Sequence, residues 1–119
     1  MLTFSDIEKY ALTKQGVTKE YPFDTTTAVF KVAGKMFLLF SETKEPLQFN
    51  VKCDPLYALE LRMLYRSVIP GYHMNKKHWN TAIIDGSIDN ETLLSFIDDS
   101  YDLVVSKLTQ KVQRELQSD

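Results

Sequence analysis

A chain of 119 residues, 44% hydrophobic and 25% charged, lies in the ordinary globular range and near the size of one domain with one core. Its formal charge of -2 argues against a polyanion binder that works through net charge, so any nucleic-acid contact has to be local. One cysteine, an acid-bearing N-terminus and no run of roughly 18 apolar residues argue against a disulfide scaffold, a signal peptide and a membrane span, and point to the cytoplasm.

Charge is unevenly spread. Residues 1–80 hold eleven Lys/Arg against eight Asp/Glu, whereas residues 81–119 hold three against eight.

The first element is a helix. Thr3 reads as its N-cap with Asp6 at the third position, Leu2 and Ile7 are spaced as a hydrophobic staple, and Gly16 ends it. From Thr27 the period changes to that of strands: AVFKV, the turn Ala33-Gly34, then KMFLLFS form a hairpin rich in β-branched and aromatic residues. LQFNVK alternates Leu47, Phe49 and Val51 with Gln48, Asn50 and Lys52, a third strand with one face in the core.

Asp54-Pro55 starts a second helix that runs to about Arg66. Val68 and Ile69 begin a fourth strand, the polar stretch His73 to His78 turns the chain, and WNTAIID forms a fifth. Asp89 caps a last helix whose apolar stripe continues from Leu93 to Leu116. The order α-β-β-β-α-β-β-α predicts an α+β domain spanning residues 1–119, a two-layer antiparallel sheet with helices on one face. In such a fold KMFLLF would be apolar on both faces, so a homodimer partner, a ligand or the Tyr21–Asp24 loop should cover its outer side.

The densest chemistry lies in HMNKKHW. Lys76 and Lys77 can neutralise phosphates, Asn75 can bond a base edge or sugar, Trp79 or Tyr72 can stack on a base, and His73 adds charge below pH about 6.5. Lys52, Arg62 and Arg66 enlarge this patch if the second helix lies nearby. The competing structural reading makes Asn75-Lys76-Lys77 a solvated hairpin turn and Trp79 a core anchor.

Other groups favour structure over chemistry. His73 and His78 are five apart with no second cysteine, which does not suit a metal. Cys53 sits beside Lys52 at a helix start, but reads as a buried thiol in the absence of an assigned base. Asp98, Asp99 and Asp102 read as a solvated helix face, and no glycine-rich phosphate loop is present. No catalytic residue, cofactor or metal is expected.

The stretches YPF at 21–23, FKVAGKMF at 30–37, KCDP at 52–55, PGYHMNKKHWNT at 70–81 and DGSI at 85–88, followed by SYDLV, resemble the MmcQ/YjbR family of small bacterial proteins. That resemblance implies an α-β3-α-β2-α domain, laid out like a bacterial frataxin or a secretion chaperone, and a DNA-binding role without catalytic residues. Asp24 departs from it, standing where the family often has glycine. The functional expectation is a non-enzymatic DNA-binding domain that uses Lys52, Arg62, Arg66, His73, Asn75, Lys76, Lys77 and Trp79. The alternative is a protein-interaction or chaperone-like domain, homodimeric through the apolar face of KMFLLF.

Overall fold

A computed structural model describes residues 1–71 and 74–118, leaving Tyr72, His73 and Asp119 outside the described residues. Side-chain caps start the helices. Helix α1 (Phe4–Leu12) opens on a reciprocal capping box, in which the Asp6 N–H donates to Thr3 Oγ1 at 3.2 Å and the Thr3 N–H donates to Asp6 at 2.9 Å. Helix α2 (Pro55–Leu64) has proline at its first position, and the Leu56 and Tyr57 N–H groups donate to its cap, Asp54. Helix α3 (Asn90–Ser106) starts at Asp89.

Among the described residues, six strands form one antiparallel sheet: β1 (Val17–Glu20), β2 (Thr27–Val32), β3 (Lys35–Ser41), β4 (Gln48–Lys52), β5 (Val68–Pro70) and β6 (Trp79–Ile83). Their spatial order is β1-β2-β3-β4-β6-β5. Apolar residues of α1, α2 and α3 join Ala28, Phe30, Phe40, Phe49, Val51 and Ala82 in one core, which confirms the α+β class.

Two elements depart from the expected order. Strand β1 was not foreseen because VTKE offers only one apolar residue, yet its backbone pairs with β2 from Val17↔Val32 to Glu20↔Val29. The last helix is two helices: α3 closes at Lys107, and Thr109 caps a separate α4 (Gln110–Gln117) with its hydroxyl 3.2 Å from the Val112 N–H. The apolar stripe hides that break, because Leu116 still packs against the core.

The KMFLLF problem is solved inside the chain. The register changes from Phe30↔Leu38 to Lys31↔Met36, so Phe37 is an extra residue in a β-bulge. Phe37 and Leu38 both join the helix-side core, and Phe37 meets the Tyr101 ring edge-on at 5.4 Å. Of this run, Met36 and Leu39 instead join a small outer cluster with Val29, Met74 and Trp79. Leu39 is 5% exposed within that cluster, and with Phe23, Ile69 and Met74 it lines an open cleft of about 730 Å³ on the outer face.

The bulge also breaks the β3–β4 ladder, whose pairing stops at Leu38↔Val51. Ser100 of α3 fills the gap. Its buried hydroxyl donates to the Phe37 carbonyl at 2.6 Å and accepts the Lys52 N–H at 2.8 Å. One side chain thus fixes α3 across the sheet and holds the end of β4 in place.

Candidate nucleic-acid interface

Where β4 ends and β6 begins, Lys52 stands opposite Trp79 in the register. The preceding turn is built by Asn75, whose Oδ1 accepts the Lys77 N–H at 2.9 Å and whose carbonyl accepts the His78 and Trp79 N–H groups. The His78 carbonyl in turn accepts the Cys53 N–H at 2.7 Å, tying the turn to the start of α2.

These elements enclose a cleft of about 350 Å³, lined by Lys52, Asp54, Pro55, Asn75, His78, Trp79, Leu103 and Lys107. Lys52 and Lys107, 55 residues apart in sequence, therefore share one concavity with an imidazole and an amide, beside the exposed Lys76-Lys77 turn. The carboxylate in the lining, Asp54, accepts two backbone N–H groups at the α2 N-terminus, where the helix dipole further offsets its charge.

Not every expected contact residue lies there. Arg62 reaches from α2 and donates Nε–H to Asn80 Oδ1 at 2.6 Å and Nη2–H to the carbonyls of Lys76 and Trp79. Its guanidinium is a latch on the turn, and Asn80 completes the latch by donating to the Ala58 carbonyl at 3.3 Å. Arg66 is exposed but precedes Val68, which pairs with Ala82, so it lies toward the opposite end of the β5–β6 hairpin. Trp79 is 7% exposed and packed on Val29 and Leu39, leaving no open ring face for a base. His73 lies outside the described residues.

His78, a candidate contributor of charge beside His73, lines the cleft, and Lys107, which nothing in the sequence ties to the patch, completes it. The Lys107 position depends on α3 crossing the sheet through Ser100, a contact no local pattern announces.

Cys53 is buried beside this site. Burial first, then the carboxylates of Asp99 and Asp54, push its thiol up to about 11, so it is protonated at neutral pH. Burial also raises Asp99, helped by Asp102 and Asp98. Asp98 is not a bare solvated acid: it accepts the Tyr10 hydroxyl and Lys14 Nζ, both at 2.6 Å, joining α1 to α3. Among the described residues, no three His, Cys, Asp or Glu side chains group as metal ligands, and no helix is long and apolar enough to cross a membrane.

The family model for YjbR matches residues 12–103. The chain belongs to the YjbR family. Among its relatives, uncharacterized protein YbdF of Escherichia coli O157:H7 is 40% identical over 94 residues, covering 79% of this chain and 77% of that one. Uncharacterized protein YjbR of Escherichia coli K12 is 28% identical over 113 residues, covering 95% and 96%. The crystal structure of Deinococcus radiodurans DR2400, a DUF419 domain, superposes with a TM-score of 0.92 at 36% identity, over 98% of this chain and 89% of its own. The YjbR match includes Lys52, Asn75, His78 and Trp79, while Lys107 lies just beyond it.

Proposed function

We propose that this YjbR domain binds DNA without catalysis, by neutralising backbone phosphates at the β4–β6 end of its sheet. The reading rests on the meeting of Lys52 and Lys107 in one cleft with His78 and Asn75, next to Lys76 and Lys77. Lysines act here as point charges on phosphate, and the buried indole removes the aromatic platform that single-strand recognition would use. Sequence preference is therefore expected to be slight, since phosphate contacts position a duplex without reading it.

Catalysis finds less support in the same region, because the thiol nearest the cleft is held protonated. A chaperone-like use of the outer sheet face has less to offer, because its apolar Val29, Leu39 and Trp79 are buried against one another. Fluorescence anisotropy with a short labelled duplex tests the proposal. Lys52→Glu with Lys107→Glu should weaken binding strongly at low salt while the thermal midpoint holds; unaltered binding by that variant would reject the cleft.

A further inference from the structure

On α2, Leu56 is 74% exposed, Leu59 52%, Met63 87% and Leu64 71%, four large apolar side chains on one short helix. At about 100° per residue, the arc from Leu59 through Met63, Leu56 and Glu60 to Leu64 covers roughly 140° of the helix circumference. Ala58 and Leu61, on the opposite side, are the residues α2 buries in its own core. A soluble helix normally shows water the reverse pattern. Scattered apolar residues would need no explanation, but a contiguous patch of this size marks an interface.

We infer that α2 is the contact face of a homodimer, in which two copies pair their helices antiparallel about a two-fold axis between Glu60 and Met63. Area and charge both favour a second copy as the occupant. The four side chains offer roughly 500 Å² per copy, so two copies bury on the order of 1,000 Å², which reaches the threshold for a specific if modest interface.

Glu60 lies within this arc and Arg66 follows just past the end of α2, and neither has a bonding partner among the described residues. In the antiparallel arrangement Leu59 meets the partner's Leu64, and Glu60 comes within an arginine's reach of the partner's Arg66. The symmetry repeats that ion pair on the other side, which makes the face complementary to itself. Arg66, displaced from the nucleic-acid cleft, thereby gains a role. The inference does not depend on DNA binding.

Sedimentation velocity of the full chain across roughly 1–200 µM tests it, since an interface of this size predicts micromolar self-association. We expect a monomer–dimer equilibrium that Met63→Glu weakens by about 100-fold, a charge buried without a partner, while the circular dichroism spectrum is unchanged because Met63 supports no core contact. Glu60→Arg and Arg66→Glu should each weaken the dimer, and the two together should restore it. Met63→Cys should oxidise to a disulfide-linked dimer, with buried Cys53 left reduced. A monomer throughout the range would overturn the inference. So would a dimer indifferent to Met63→Glu, or a charge swap that fails to restore association.

Discussion

Replacing Ser100 with alanine removes one oxygen and should cost far more than its volume suggests. The hydroxyl is wholly buried and serves two backbone groups, the Phe37 carbonyl and the Lys52 N–H, at the place where the bulge interrupts the β3–β4 ladder. An unpartnered buried polar group costs about 1–3 kcal/mol, so two of them set an expected loss of about 2–6 kcal/mol. For a domain of this length that is a drop of roughly 8–24 °C in Tm. Urea unfolding should show a lower midpoint with an unchanged slope, which separates lost stability from a looser native state. Ser106→Ala is the control, because among the described residues its exposed hydroxyl serves only the Leu103 carbonyl. A loss below about 0.5 kcal/mol for Ser100→Ala would refute the view that this side chain replaces a ladder rung.

Arg62→Lys should behave as a damaging change, since one ammonium cannot span Asn80 and the carbonyls of Lys76 and Trp79. Faster amide hydrogen exchange at residues 75–79 would report the loosened turn. Gly71→Ala places a Cβ 2.9 Å from Trp79 Cβ and 3.2 Å from the Trp79 carbonyl oxygen, so we expect about 1–3 kcal/mol of destabilisation and a red shift in the emission of the sole tryptophan. For Cys53, a folded pKa raised from 9.0 to about 11 means that its contribution is complete below pH 9 and is lost as pH climbs toward 11. That contribution is about 2–3 kcal/mol. A thiol reagent at pH 8 should therefore modify the folded protein slowly and the urea-unfolded chain at once.

Much of the fold was legible because local chemistry and tertiary structure agree in it. Thr3, Asp54 and Asp89 cap helices as their types and spacings imply, and LQFNVK alternates as a half-buried strand must. The misses occur where backbone pairing or register decides. Strand β1 is held by main-chain bonds to β2 that VTKE does not advertise, and Phe37 reaches the helix side through a bulge invisible in an unbroken apolar run.

The candidate site was legible only in part, since charge type can be read from sequence and direction cannot. Lys52 and Asn75 reach the cleft, Arg62 is used as a latch, Arg66 lies at the other end of its hairpin, and Trp79 is buried. Lys107 enters from a helix whose placement depends on Ser100. The exposed side of α2 was open to notice: LYALELRML has too many apolar residues to bury on one face, and those left over became the α2 patch.

The salt dependence of DNA affinity tests the central claim most directly. If Lys52, Lys76, Lys77 and Lys107 each neutralise one phosphate, the plot of log K against log salt concentration should have a slope near -3.6, about a 150-fold loss between 50 and 200 mM salt. Lys52→Glu with Lys107→Glu should reduce that slope by about 2. Lys44→Glu, in the loop before the opposite end of β4, should leave it alone. No binding at 50 mM salt, or a slope that the double substitution does not change, would contradict the proposal that this cleft is where the domain meets DNA.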